Sequence, residues 1–235
     1  MSDEKITLVA LLIQTCKKAD KNELDQVLYI IRKHGISKDE LNFADKNGRT
    51  ALSHICTKSE TGFADFLLRF KGIDVNKPDN DGNTPLHFAA ETGISDKIAM
   101  LISRNRHLDI DAKNSLGLTP LMKASIQGRT DCAKRLILAN ASASLRDPGR
   151  GFTARDWAYF CGRKFCGDAL GELVKKQKAT QLSEKQRKDL KMSLQSLMPT
   201  KIAATQQQLY QPTEVKKPVP TITLTSPDQS TIVLK

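Results

Sequence analysis

A polar turn followed by a helix start recurs four times in this chain, and this repeat limits the fold more than any other feature. The four segments read DKNGRTALSHIC from Asp45, DNDGNTPLHFAA from Asp79, NSLGLTPLMKAS from Asn114 and PGRGFTARDWAY from Pro148. Their glycines are 34, 35 and 34 residues apart, at Gly48, Gly82, Gly117 and Gly151. A period of this length is typical of solenoid proteins, whose units stack on their sequence neighbours.

Each unit carries the signals of a tight turn and of two helices. Glycine tolerates the positive φ that such turns need, and the threonine that follows, such as Thr84, caps a helix through its hydroxyl. Pro85 occupies the first helical position, where a missing N–H costs nothing. Apolar residues then recur at helical spacing in both segments, for example at Leu86 and Leu101. Because one such pair cannot bury both its faces, the units must stack.

The run TPLHFAAETG at Thr84 to Gly93 resembles the ankyrin repeat, and the resemblance extends from about Asn42 to Val174. It implies an all-α ankyrin-repeat solenoid of about five stacked helix pairs with β-turn tips, plus a C-terminal tail. Residues 1–41 are interpreted as a degenerate helix pair that caps the amino end, and residues 42–178 as four ankyrin repeats. The fourth motif departs from the pattern, since Arg155 replaces the buried leucine. Terminal repeats are expected to be atypical.

The chain changes character beyond the repeats. Ser183 and Gln186 have the spacing of a capping box, and leucines follow at helical spacing, so we predict an amphipathic helix over residues 179–198. We favour a role in shielding the last repeat, with binding of a partner as the alternative. Residues 199–235 are rich in Thr, Gln, Ser and Pro and are predicted to be a disordered tail.

Two segments are similar to the photoreceptor ankyrin repeat protein family. They are GLTPLMKASIQGRTDCAKRLILANAS from Gly117 and RDPGRGFTARDWAYFCGR from Arg146. This resemblance implies a non-enzymatic protein of the cytoplasm and the nucleus that represses transcription through protein partners.

In ankyrin repeats, partners usually bind the turn tips and the exposed side of the first helix. By register, the predicted partner-binding residues are Lys46, Asn47, Arg49, Asn80, Asp81, Asn83, Glu91, Ser115, Leu116, Leu118, Ile126 and Gln127. Leu116, Leu118 and Ile126 are apolar where exposure is expected, so they either mark the centre of an interface or are ordinary surface residues.

Three further residues have two interpretations each. His87 is expected to bond a neighbouring turn rather than act as a ligand or base. Trp157 is expected to cap the last unit, with a role as a partner anchor as the alternative. Asn76 closes the string LRFKGIDVN and is either a substrate of an asparaginyl hydroxylase, as the ankyrin resemblance implies, or a residue that holds its turn.

Catalysis, cofactors and metals find no support in the sequence. GxSxG, GxxxxGK[ST] and HExxH motifs are absent, so we predict that the protein is not an enzyme. The five cysteines have no CxxC spacing and the histidines are scattered, so no metal site and no cofactor are predicted. We expect an intracellular, monomeric protein that binds protein partners, has no small-molecule substrate and has no membrane span.

The formal charge of +11 leaves a second function open. Residues 163–191 hold nine Lys/Arg and four Asp/Glu, an excess of 9 − 4 = +5. A basic segment of this kind either binds nucleic acid or an anionic surface, or forms a solvated helix face. Its main cations are Lys175, Lys176, Lys178, Lys185, Arg187 and Lys188. A scaffold at the membrane or the cytoskeleton is a third hypothesis.

Overall fold

The computed structural model describes residues 2–197, 224–225 and 231–232, in two units divided between Gln181 and Leu182. The helices are α1 (Ser2–Lys18), α2 (Lys21–His34), α3 (Lys38–Leu41), α4 (Ala51–Cys56), α5 (Gly62–Leu67), α6 (Pro85–Thr92), α7 (Ser95–Arg104), α8 (Pro120–Ile126), α9 (Thr130–Leu138), α10 (Ala154–Phe160) and α11 (Lys164–Leu197). In the second unit, strands β1 (Leu224–Thr225) and β2 (Thr231–Ile232) pair antiparallel, with Leu224 opposite Ile232.

The helices of the first unit form the five predicted pairs. The pairs are α1–α2, α4–α5, α6–α7, α8–α9 and α10–α11, and α3 is a single turn between the first two pairs. Helix α4 packs on α6, α6 on α8 and α8 on α10, so the first helices of the repeats form one layer. Helix α1 packs on α4 and thereby covers the amino end of that layer. The all-α solenoid is confirmed.

The threonines of the repeat lie at equivalent helix starts, as predicted. Thr50, Thr119 and Thr153 each accept a hydrogen bond from the backbone N–H three residues later, at 3.2, 3.3 and 3.3 Å. Such a bond satisfies one of the backbone donors that a helix start leaves open. Pro85 and Pro120 occupy the first helical positions of α6 and α8.

Small and large apolar residues alternate in the layer of first helices. Leu86 and Leu121 are 0 % exposed, and burial of a leucine side chain contributes about 1.5–3 kcal/mol. Ala89, Ala90 and Ala124 are 0 % exposed as well. Because alanine has only a methyl group, neighbouring helices approach closely and share one continuous core.

A glycine follows the carboxyl end of three of the four helices α4, α6, α8 and α10. These residues have a positive φ of 89°, 69° and 71°, which glycine adopts without strain. They are Gly93, Gly128 and Gly162. Ser59 lies at the equivalent place after α4, 34 residues before Gly93, and has no such φ. The carboxyl end of α4 therefore has no turn closed by glycine, and a further partner from outside the helix bonds its carbonyl groups.

A lysine of the next repeat supplies that partner. Lys97 in α7 is 1 % exposed, and its Nζ donates to the carbonyl oxygens of Ile55 and Lys58 at the end of α4. Burial lowers the pKa of Lys97, while Cys56 and Glu60 oppose this effect. In the next two interfaces, Arg129 Nε donates to Glu91 O at 3.2 Å and Arg163 Nε to Ile126 O at 3.4 Å. Lys97 thus makes the same kind of contact between repeats as Arg129 and Arg163. It lies within α7, whereas the two arginines directly precede α9 and α11.

The last helix differs from the prediction. A separate helix starting near Ser183 is not observed, because α11 runs without a break from Lys164 to Leu197. Its amino-terminal part is the second helix of the last pair, where Cys166 and Leu170 are buried in the core. The boundaries at 178/179 and 198/199 stay predictions. Apart from β1 and β2, the predicted disordered tail at 199–235 lies outside the described residues.

Candidate functional site

The predicted partner-binding residues belong to a surface formed by the turns before α4, α6, α8 and α10 and by one side of these helices. Residues four and seven positions after each threonine lie on that side, since they are one helical turn apart. These residues are His54, Thr57, Phe88, Glu91, Lys123, Ile126, Trp157 and Phe160, of which His54 and Phe88 are buried. We call this surface, turns and helix residues together, the tip face.

Each of the first three turns is organised by one side-chain oxygen. Asp45 Oδ1 accepts from the backbone N–H of Asn47 and Arg49, at 2.9 and 3.0 Å. Asp79 and Asn114 form the same pair of bonds in the next two turns. The fourth turn is one residue longer than the alignment from Pro148 predicts. There Asp147 takes the organising position.

Neighbouring turns are bonded to one another. Asn80 donates its backbone N–H to Asn47 O and its Nδ2 to Lys46 O, both at 3.0 Å. Ser115 donates its backbone N–H to Asp81 O at 2.9 Å, and its hydroxyl bonds the same oxygen. These bonds between successive turns hold the first three tips in fixed relative positions.

The structure exposes most of the predicted partner-binding residues, but not all of them. The exposed ones are Lys46, Asn47, Asn80, Asp81, Ser115, Leu116 and Gln127, and the half-buried ones are Arg49, Glu91 and Ile126. The expected exposure of Asn83 and Leu118 is wrong, since they are 8 % and 7 % exposed. Asn83 Oδ1 accepts from Asn114 Nδ2 at 2.9 Å, and the Leu118 side chain belongs to the core.

Sequence reasoning missed an aromatic group at the carboxyl end of the tip face. Phe152, Trp157 and Phe160 lie within 5.5–5.8 Å of one another between ring centroids. Trp157 is half-buried and donates its Nε1–H to Asp147 Oδ1 at 3.1 Å, which fits the predicted capping role. Phe160 is 56 % exposed. A comparison of the residues seven positions after each repeat threonine would have identified Phe160, because it is the aromatic residue among them.

His87 bonds a neighbouring turn, as predicted. Its Nδ1 accepts from the backbone N–H of Thr84 at 3.1 Å, and its Nε2 lies 3.0 Å from Leu118 O. The second bond requires the proton on Nε2, so the ring is a neutral bridge between two repeats. Burial lowers the pKa of His87, in agreement with the neutral ring.

A second histidine lies at the amino end of the tip face. His54 Nε2 is 3.0 Å from Asp45 Oδ2, and Lys17 Nζ of α1 is 2.8 Å from the same oxygen. Burial lowers the pKa of His54, and the hydrogen bond to Asp45 opposes this effect. Burial alone would raise the pKa of Asp45, but hydrogen bonds from Lys17, Arg49 and His54 lower it. The group ties the first helix pair to the first turn.

Stability is expected to fall as the pH drops below the ordinary histidine pKa of 6.5. Both folded-state values are lowered, so the unfolded chain binds protons first. The contribution is present above 6.5 and is lost as the pH falls towards the folded values. Each histidine adds a slope of up to about 1.4 kcal/mol per pH unit. Asp45 adds its own loss only below its ordinary value of 3.8.

Urea unfolding of the full chain between pH 7.5 and 5 measures this slope. A His54→Asn variant should reduce it, whereas His107→Asn, at an exposed position, should leave it unchanged. A stability that is constant from pH 7.5 to 5 would contradict the expectation.

Asn76 is engaged on both sides of its carboxamide. Its Nδ2 donates to His107 O at 2.7 Å, and its Oδ1 accepts from Asp109 N at 2.9 Å. The side chain therefore joins two successive repeats, which is the turn-holding interpretation. Hydroxylation of Asn76 stays a prediction, and an enzyme that modifies it has to open this contact.

The described part of the chain contains no membrane-spanning helix and no candidate metal site. None of its helices has the length and apolar character of a membrane span. Within residues 2–197, 224–225 and 231–232, no group of three His, Cys, Asp or Glu is placed to hold a metal ion.

Stacked helix pairs with hydrogen bonds between successive turns define a helical-repeat protein of the solenoid class. Family models of the ankyrin repeat match residues 7–114 as three copies and residues 116–148 as a further repeat. The chain belongs to the ankyrin-repeat family. The fifth pair, α10–α11, lies beyond the matched residues.

Several characterised proteins are similar to this chain. An IkB-like protein of African swine fever virus (strain Badajoz 1971 Vero-adapted) is 36% identical over 130 residues, which cover 52% of this chain and 54% of the viral protein. Protein fem-1 homolog A-like of Mus musculus is 36% identical over 103 residues, 44% of this chain and 15% of that protein.

The predicted resemblance to the photoreceptor family is confirmed at lower identity. The human photoreceptor ankyrin repeat protein is 28% identical over 173 residues, which cover 74% of this chain and 35% of that protein. The viral and mouse relatives match at higher identity over shorter stretches. The chain spans about half the length of the viral relatives it matches.

Proposed function

We propose that this protein is a non-catalytic adaptor that binds a protein partner through the tip face and thereby represses transcription. The observation that carries the proposal is the row of exposed side chains on turns that are bonded to one another. Because these turns are already ordered, a partner that binds them loses little additional conformational freedom. Similarity to an IkB-like protein supports a partner that regulates transcription.

The absence of catalysis is part of this proposal. The two histidines with perturbed pKa values, His54 and His87, are both used in bonds that join structural elements. We infer that the protein acts as a monomer without cofactor in the cytoplasm or the nucleus.

Two leucines with nearly equal exposure provide a matched test. Leu116 lies on the third tip and is 69 % exposed, whereas Leu138 is the last residue of α9, a helix that contributes no residue to the tip face, and is 73 % exposed. Leu116→Asp is expected to weaken partner binding about tenfold or more, because a charge replaces an apolar contact. Leu138→Asp should have little effect.

The test uses the full chain expressed in cells with a panel of inducible transcription reporters. The wild type and Leu138→Asp are expected to lower the same reporter and to cross-link to the same protein, and Leu116→Asp is expected to do neither. Equal behaviour of the two variants would show that the tip face is not the binding surface.

Binding of nucleic acid or of an anionic surface is the second candidate function. Every residue from Ser183 to Ser193 in α11 is exposed, and four of them are Lys or Arg. Since binding to phosphates releases counterions, the affinity for a 20-residue single-stranded oligonucleotide would fall steeply with salt. Binding that is weak at low salt, or independent of salt, would eliminate this function.

A further inference from the structure

One arginine of the last turn lies on the aromatic group of the tip face. The guanidinium carbon of Arg150 is 4.5 Å from the ring centroid of Phe160 and 5.8 Å from that of Trp157. Guanidinium groups bind aromatic faces in this way through cation–π attraction. Two rings therefore hold the Arg150 side chain in place.

The guanidinium donors of Arg150 bond no acceptor among the residues that the structure describes. Its backbone N–H bonds Asp147 Oδ2 at 2.7 Å, but its guanidinium bonds no acceptor in the part of the chain that the structure describes. Arg150 is exposed. A planar guanidinium presents donors that match a carboxylate in a bidentate geometry. The rings thus present a positioned receptor for an oxyanion.

The acidic side chains beside this receptor accept hydrogen bonds from groups other than the Arg150 guanidinium. Asp147 is 4 % exposed and accepts from two backbone N–H groups and from Trp157 Nε1. Asp156 accepts from the backbone and hydroxyl of Thr153, at 2.9 and 2.8 Å. Asp156 also lies 3.8 Å from Arg146, which is exposed like Arg150 and Arg163, so positive charge is in excess at this end of the tip face.

Apolar surface adjoins the receptor on the neighbouring repeat. Leu116 is 69 % exposed, and the residue after it, Gly117, lies directly against Pro148 of the last turn. Phe160 is 56 % exposed. The side chain of Arg163 reaches Ile126 O, so half-buried Ile126 borders the same region. A ligand for this surface needs an anionic group next to an apolar one.

We propose that Arg150, Phe160 and Leu116 bind an acidic segment of a protein, in which an Asp or Glu carboxylate stands beside a bulky apolar side chain. The inference rests on the proposed function and specifies the partner's chemistry. A nucleic acid fits less well, because nucleobases need open aromatic faces and Arg150 lies over the ring of Phe160. A sugar–phosphate backbone also offers no bulky apolar group for Leu116 and Ile126 to contact.

Selection from a random 12-residue peptide library on the immobilised full chain tests the proposal. The enriched peptides are expected to carry Asp or Glu next to Leu, Ile, Phe or Trp. The strongest peptide is then measured by fluorescence polarisation, together with a copy in which Asn and Gln replace the acids. The copy is expected to bind about tenfold or more weakly, because charge-assisted hydrogen bonds are lost.

Variants of the full chain locate the peptide. Arg150→Gln and Phe160→Ala are expected to weaken binding about tenfold or more. Arg150→Lys should recover only part of the loss, because lysine keeps the charge but not the fork of donors. Arg187→Gln removes an exposed charge from α11 and should change the affinity less than about twofold. Unchanged thermal unfolding midpoints show that each variant is folded.

Several results would overturn the inference. These are enrichment of basic or uncharged peptides, equal binding of the amide copy, and equal effects of Arg150→Gln and Arg187→Gln. If selected peptides depend on Leu116 but not on Arg150, the proposed function survives and this inference fails. If no peptide is enriched, this inference fails, and the reporter and cross-linking test alone decides the proposed function. Binding of a 20-residue dT oligonucleotide that depends on Arg150 and exceeds peptide binding would replace the protein segment by nucleic acid.

Discussion

Replacement of His87 by alanine is expected to lower the free energy of unfolding by about 3–5 kcal/mol. The ring is 0 % exposed, and its loss leaves Thr84 N without its acceptor and removes one of the two donors of Leu118 O, which also accepts from Asn114 N. Each buried group left unsatisfied costs about 1–3 kcal/mol, and the space of the ring adds a cavity. The two affected groups belong to successive repeats, so the interface between α6 and α8 should weaken most.

Urea unfolding followed by circular dichroism measures the effect. His107→Ala serves as the control, because the His107 side chain is exposed and only its backbone oxygen bonds Asn76. We expect the control to change the stability by less than about 0.5 kcal/mol. A loss below about 1 kcal/mol for His87→Ala would show that His87 does not bridge the repeats.

Gly117→Ala is expected to cost about 2–4 kcal/mol, the second largest effect. Gly117 has a φ of 73°, and a Cβ atom there would lie 2.2 Å from Pro148 Cδ in the next turn. Alanine is therefore strained in its own backbone and also collides with a rigid ring. The collision has to separate the third turn from the fourth.

A Gly151→Ala variant distinguishes the backbone strain from the collision with the next turn. Its φ is 69°, but an added Cβ would meet nothing within 4 Å. Gly151→Ala should therefore cost only the backbone strain, about 1 kcal/mol. The difference between the two variants in chemical denaturation measures the contact between turns. Equal losses would mean that Pro148 moves away freely and that the turns are not held against each other.

The helix starts were predictable from the sequence because their signal is local. The register of Thr50, Thr84, Thr119 and Thr153 corresponds to four equivalent helix starts, since threonine, glycine and proline each act on their own few residues. The inward role of His87 followed from the ankyrin pattern. For these reasons the number of helix pairs and the first three turns were predicted correctly, whereas the fourth turn begins one residue earlier than predicted.

The errors concern features that depend on the neighbouring repeat. Leu118 directly precedes its threonine, and only the stacking of the turn on α6 decides that its side chain is buried. The stacking of Arg150 on Phe160 joins residues ten positions apart across a turn that is one residue longer than expected. Helix α11 continues past Ser183 because the capping pattern there is also compatible with a helix interior. Local patterns do not contain this information.

The buried lysine of α7 makes the first and second repeats unequal partners. Transfer of the second repeat to another place in the array would bring the Lys97 ammonium against a helix end that a glycine such as Gly128 already closes. Conversely, the helix end before Ser59 would meet an uncharged side chain. These two repeats can therefore be exchanged, duplicated or grafted only as a unit, although the chain as a whole looks like a series of interchangeable modules.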